Sequence, residues 1–164
     1  MSVQNVKSAS IELKAAIEEL FHSYADCIDN DELEQWPEFF TEECIYKIIA
    51  RENYARNLLV CVIYCDSKGM LKDRITAHRH ANIYEAHTYK HLVSGVRIVG
   101  QEGDAYLVRA NYAVFQTRQD GITEVYNVGK YVDKVVFVDG EAKFKEKIAV
   151  YDTSMIPTLL VTPI

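Results

Sequence analysis

His78, His80, His87 and His91, four of the chain's five histidines, fall in one short stretch. Imidazole is a common transition-metal ligand and the side chain best placed to move a proton near neutral pH. His78 and His80 share a face if their backbone is a strand, while His87 and His91 share a face in a strand or a helix. Either pair could supply two positions of a metal site. The spacings that complete such sites are missing: there is no His-Glu-x-x-His, no Cys-x-x-Cys and no carboxylate placed for a two-His, one-carboxylate iron centre. The competing reading is that these histidines make hydrogen bonds at a surface or interface, and no metal ligand is assigned.

Other chemistries find less support. A two-iron cluster of the Rieske type needs Cys-x-His and Cys-x-x-His, and no cysteine here stands two or three residues before a histidine. Cys27, Cys44, Cys61 and Cys65 have apolar neighbours and no adjacent base to form a thiolate, so they read as small buried hydrophobes without a disulfide. No Gly-rich phosphate loop or Gly-x-Ser-x-Gly turn occurs. For acid–base work the candidates are Tyr24, Asp26, Tyr46, Asp73 and His91. Each has a structural alternative: Tyr24 continues an apolar helix face, Tyr46 alternates in a strand, and Asp73 can pair in solvent with Arg74. No residue is assigned as catalytic or cofactor-binding.

Composition narrows the partners. A formal charge of -6 and a pI near 5.4 give no basic footprint for nucleic acid or an anionic membrane. The opening "MSVQNVKSASIELKAAIEELF" has neither a signal-peptide core nor a spanning segment, so a cytoplasmic location is expected. With 164 residues, 49% of them hydrophobic, the chain can bury a core as one domain over 1–164.

The elements that must position these residues follow from hydrophobic period. Leu13, Ile17, Leu20, Phe21, Tyr24 and Ile28 predict a helix over Ser10 to Ile28. "DNDELEQWPEFF" predicts a break and a short acidic turn around Pro37. "CIYKII" and "LLVCVIY" predict strands, and Asp66 is placed to cap a helix through Met70, Leu71, Arg74 and Ile75. From about residue 90, "HLVSGVRIVG", "AYLVRANYAVFQTR", "TEVYNVGKYVDKVVFV" and "AKFKEKIAVYD" predict successive antiparallel strands between tight turns. The class is α+β, a curved antiparallel sheet packed on N-terminal helices. The apolar ending "MIPTLLVTPI" predicts a last strand or a docked tail, with a strand reaching an interface preferred.

Read together, "EQWPEFFTEECIYKI", "RENYARNL", "DSKGMLKDRI", "HTYKHLVSGVRI", "ANYAVFQTR" and "VGKYVDKVVFVDGEAKFKEKIAVYDTSMIPTLLVTPI" resemble, in order and spacing, the small (β) subunit of aromatic-ring-hydroxylating dioxygenases, the Rieske non-haem iron oxygenases. The resemblance covers nearly the whole chain. Within that family "ANIYEAHTYKH" with "EQWPEFFT" is most similar to the terephthalate 1,2-dioxygenase type, and "REN" with "YDTSMIP" to the salicylate 5-hydroxylase type.

The resemblance implies a cystatin-like, nuclear-transport-factor-like cone. It implies a non-catalytic structural subunit in the breakdown of an aromatic acid, in an α3β3 hexamer of large α subunits and other β subunits. The Rieske 2Fe–2S cluster and the mononuclear iron would lie in the α subunit, with no cofactor in this chain. Electrons from NAD(P)H would reach oxygen chemistry there through a reductase or ferredoxin that meets only the α subunit. Trp36, Phe39, Arg74, His78, His80, Tyr84, His87 and His91 are the expected subunit interface, since Tyr, Trp and Arg offer large contact area with a polar end. For Trp36, Phe39 and Phe40 the alternative is core packing. Two other readings remain at this stage: a stand-alone cone-fold dehydratase or isomerase using buried Tyr, Asp and His, and a small-molecule binding module.

Overall fold

The computed structural model describes residues 3–152, 156 and 160–164, with side chains from Ser10 onward. Helix α1 (Val3–Asp29) buries Ile17, Leu20, Phe21, Tyr24 and Ile28, the predicted face, although the helix begins well before Ser10. A 3-10 turn follows at Trp36–Phe39, with Pro37 at its start, where a missing N–H leaves no helical bond unmade.

Strand β1 (Phe40–Ala50) leads through α2 (Arg51–Ala55) to β2 (Ile63–Cys65) and α3 (Lys68–His80). The predicted strand over "LLVCVIY" is corrected to its last two residues and Cys65. Leu58 to Val62 instead form an irregular run, with Asn57 at φ 52° and Asn53 Nδ2 donating to the Val60 carbonyl. The helix cap moves by one residue from Asp66: Ser67 Oγ accepts from Met70 N at 3.4 Å. Strands β3 (His87–Glu102), β4 (Ala105–Arg118), β5 (Thr123–Val138) and β6 (Glu141–Tyr151) then run as the predicted meander.

The sheet order is β2-β1-β6-β5-β4-β3. All neighbours are antiparallel except β1 and β6, which run parallel from Ile45↔Glu146 to Ala50↔Tyr151, so the sheet is mixed rather than purely antiparallel. A parallel pair needs a long crossover, and everything from α2 to β5 supplies it. Irregularities at Ser94/Arg97, Ile98/Gly100, Val114/Phe115 and Lys134/Val135 mark bulges, which bend strands and deepen twist. The sheet wraps α1, which packs on β3 and β6.

Alternation sets the concave face: Val108, Ala110, Tyr112 and Val114 of β4 point inward, as do Tyr131, Asp133 and Val135 of β5. Tyr112 and Tyr131 stack at 4.4 Å between ring centroids. Gly129 lets β5 pass close to β6, since a Cβ there would lie 2.1 Å from the Val150 carbonyl oxygen and 2.9 Å from the Tyr112 hydroxyl.

Candidate functional site

Three polar constellations sit inside or at the mouth of this cone. The deepest joins Asp133 of β5 to Lys147 of β6, with Nζ 3.0 Å from Oδ2 and both side chains fully buried. The second carboxylate oxygen accepts from Ile148 N at 3.1 Å. Four rings enclose the ammonium, at 3.5 Å for Tyr131, 4.3 Å for Phe144 and 4.5 Å for Phe21 and Tyr24. Their negative faces replace part of the lost hydration. Burial pushes the Asp133 carboxyl up against the opposing pull of Lys147, and pushes Lys147 down against that of Asp133.

At the mouth, the chain's own tail fills the space. Tyr24 and Tyr46 both donate to the main-chain oxygen of Ile164, at 2.9 and 3.0 Å, and Tyr46 accepts from Ile164 N at 3.0 Å. Arg74 of α3 donates to the carbonyls of Leu160 and Val161 at 3.1 and 3.4 Å. Leu160 to Ile164 form no strand but are buried within this chain, which corrects the expected terminal strand; Met155 and residues 157–159 lie outside the described residues. Desolvation holds both phenols above their ordinary range, so they act here as hydrogen-bond donors and not as bases.

The third is the histidine cluster. His91 of β3 and Asp29 at the end of α1 form a closed pair: Nδ1 lies 2.6 Å from Oδ1, and His91 N donates to both carboxylate oxygens at 3.1 and 2.9 Å. Lys90 adds a contact at 3.3 Å. Burial raises the Asp29 carboxyl, but these bonds to His91 more than reverse it and leave it below its ordinary value. His78 stacks on Tyr84 at 4.8 Å and lies 3.1 Å from its hydroxyl, while burial and the neighbouring Arg79 hold its imidazole below the usual range. Tyr84, His87 and Tyr89 continue the ring contacts around an open recess of about 280 Å3. Arg79 fastens the end of α3 below it, meeting Asp31 at 2.8 Å and Glu34 at 2.7 Å. Among the described residues, no group of three or more His, Cys, Asp or Glu is gathered as a metal site.

Residues 24–158 match the family described as the ring hydroxylating beta subunit. The chain belongs to that family. The anthranilate 1,2-dioxygenase small subunit of Burkholderia cepacia is 47% identical over 145 residues, 88% of this chain and 90% of that one. Subunit beta 1 of the terminal oxygenase component of terephthalate 1,2-dioxygenase from Comamonas is 40% identical, covering 87% and 92%. The crystal structure of a beta subunit assigned to an aromatic-ring-hydroxylating dioxygenase of Novosphingobium aromaticivorans superimposes with a TM-score of 0.87, at 46% identity over 95% and 99% of the two chains. The cone itself is shared more widely: a chain assigned as a scytalone dehydratase from that organism has a TM-score of 0.68 at 19% identity, a likeness of fold alone. The small-subunit resemblance, the α+β class read from the sequence pattern and the cone that the resemblance implied are upheld.

In this small subunit the eight residues expected at an interface divide by burial. Trp36 is fully enclosed, packed edge-on against Tyr46 at 5.0 Å, and Phe39 lies against Tyr24 at 6.0 Å. His78 and His91 are buried, Arg74 and His87 half-buried, and His80 and Tyr84 exposed. Of the acid–base candidates Asp26 and Asp73 face solvent, Tyr24 and Tyr46 meet at Ile164, and His91 joins Asp29. Sequence reasoning missed Asp29, Asp133 and Lys147. Nothing local marks Asp29, whose partner is 62 positions away.

Proposed function

We propose that this chain is the structural small subunit of a cytoplasmic oxygenase acting on an aromatic acid, with residues 1–164 serving as one domain. The large α subunit would carry the Rieske 2Fe–2S cluster and the mononuclear iron, in an α3β3 assembly, and a reductase or ferredoxin would meet that subunit alone. Membership of the small-subunit family carries this reading. Support for the substrate class comes from relatives whose names specify anthranilate and terephthalate, both aromatic carboxylates.

The surface suits a partnered chain. Leu58, Leu59, Val60 and Val62 are exposed in sequence beside the short edge strand β2, with Leu59 91% exposed, and Tyr64 of that strand is exposed as well. Ile83, 95% exposed, crowns the loop between α3 and β3, next to Tyr84 and near His80. Contiguous apolar exposure of this kind marks protein contact surfaces. His80, Tyr84 and His87 are the members of the expected interface set that such a contact would reach first; His78 and His91 lie buried behind them, and Trp36 packs in the core against Tyr46 and Phe40.

The test is co-purification of a tagged chain from its native host, with partner identification, native mass, and iron and acid-labile sulfide assigned to each resolved chain. An equimolar larger partner holding all the iron is expected. A chain that purifies alone, or turns over a small substrate by itself, overturns the proposal.

A further inference from the structure

Residues 160–164 dock on the cone without joining its sheet. All five are buried, yet they form no strand. Their fixed points are side chains from three elements: Tyr24 of α1 and Tyr46 of β1 at Ile164, and Arg74 of α3 at the carbonyls of Leu160 and Val161. A segment held this way can leave without breaking a strand pair, which is the character of a local unfolding unit.

Arg74 ties this segment to the histidine recess. On α3, Leu71, Arg74, Ile75 and His78 follow the three-and-four spacing of one face, so Arg74 and His78 lie one turn apart on it. His78 Nδ1 is buried without a hydrogen bond, so its ring is oriented by packing and by Tyr84, which stacks on it at 4.8 Å with its hydroxyl 3.1 Å from Nε2. Thr162, buried in the same tail, lines the recess together with His78, Tyr84 and His87. The tail therefore bounds the recess twice, directly through Thr162 and through Arg74 to His78. The loop beyond α3, with Tyr84 and the exposed Ile83, rests against this wall.

We propose that the Leu160–Ile164 segment is a latch for the partner-binding surface. Docked, it holds α3 and the Ile83–Tyr84 loop in the shape that the large subunit meets; released, it loosens that surface while the sheet stays intact. Binding of the partner stabilises the docked tail in turn, because coupling between two sites is reciprocal. The inference rests on the structural-subunit reading for its partner and on the hydrogen bonds of Arg74 for its mechanism.

The experiment compares two variants of the full-length chain. Arg74→Met removes the hold on the tail and keeps an apolar stem, while Gly129→Ala crowds Val150, Tyr151 and Tyr112, none of them in the latch, and controls for lost stability. Arg74→Met is expected to accelerate amide exchange at Ala81 and Asn82, which close α3 on the Ala77 carbonyl, by about tenfold or more. It is also expected to move the imidazole Cε1–H resonances of His78 and His87 and to leave exchange in β4 and β5 unchanged. Co-expressed with the large subunit recovered by co-purification, it is expected to lower recovery of the complex at limiting concentration by about tenfold. Gly129→Ala should spare all three readouts, and Arg74→Lys, which keeps a donor, should restore part of each. Unchanged exchange and resonances in Arg74→Met overturn the latch, as does full recovery of the complex by a variant whose recess has moved, or an equal loss with Gly129→Ala. If the unsubstituted chain itself finds no larger iron-bearing partner, the structural-subunit reading falls, and exchange and resonances alone decide whether the tail holds the recess. Should Arg74→Met fail to fold, Leu160→Ala loosens the latch from the tail side and is judged by the same criteria.

Discussion

Lys147 Nζ lies 3.0 Å from Asp133 Oδ2, although two-residue alternation from the buried Phe144 would aim Lys147 at the opposite face of the sheet. The register explains the reversal. Lys134 pairs with Glu146 but Val135 pairs with Phe144, so Lys145 is an extra residue and the face changes across it. A bulge has turned what reads as a surface lysine into the cation at the centre of four rings.

That pair should behave as a buried ion pair whose desolvation is only partly compensated. Lys147→Met alone strands the Asp133 carboxylate and is expected to cost about 3–5 kcal/mol in urea unfolding. Pairing it with Asp133→Leu removes both charges, and the double variant is expected to recover the loss, landing from neutral to about 4 kcal/mol more stable than the natural chain. A double variant as weak as the single one would show that the pair itself holds the cone together.

The Asp29–His91 contact carries a pH signature. The folded Asp29 carboxyl lies below its ordinary 3.8, so the unfolded chain binds the proton more readily and stability falls as the proton is added. The advantage of the natural chain over Asp29→Asn should therefore be complete above pH 3.8 and shrink as pH falls through the lowered folded value. At neutral pH the substitution is expected to cost about 1.5–3 kcal/mol, the range for hydrogen bonds to a charged group. Urea midpoints of both chains across the acid range measure it; a gap that widens toward acid would reverse the sign and refute the assignment.

How much of this was readable in the sequence depends on the range of the interaction. The apolar period of α1 and the alternation of β4 and β5 are local, and Ala105–Arg118 and Thr123–Val138 are the predicted segments residue for residue. Leu58–Tyr64 has strand composition but lies where Asn53 and Asn57 redirect the backbone, and composition cannot show that. The parallel pairing of β1 with β6 depends on a crossover spanning most of the chain. Tyr24 and Tyr46 were visible as candidate side chains, but their meeting at Ile164 joins positions 140 and 118 residues apart. Lys147 was hidden by a bulge and Asp29 by a partner on a distant strand.

Gly129 makes a prediction about packing that is independent of charge. A methyl group there meets the Val150 carbonyl at 2.1 Å and Tyr151 Cα at 2.8 Å, both backbone, so neither neighbour can move aside as a flexible side chain would. Gly129→Ala should push β5 from β6 and cost about 1–3 kcal/mol, the usual range for overpacking. Hydrogen exchange at Lys130 and Val150, which pair beside it, should accelerate more than at the β3–β4 pairs. Unchanged exchange at those two positions would mean that the strands are not held this close.

The last prediction separates association from folding. Leu59 and Val60 are 91% and 67% exposed, so an isolated chain gains little from them, and Leu59→Asp with Val60→Asp should leave its melting temperature nearly unchanged. If this run meets the large subunit, the same charges become buried without partners on association and should cost about 2 kcal/mol or more, lowering recovery of the complex by about thirtyfold or more at limiting concentration. Paired measurements of melting temperature for the isolated chain and of complex yield on co-expression decide the matter. Full recovery of the complex with both aspartates present would place the contact elsewhere, with the exposed loop around Ile83 and Tyr84 the next surface to substitute.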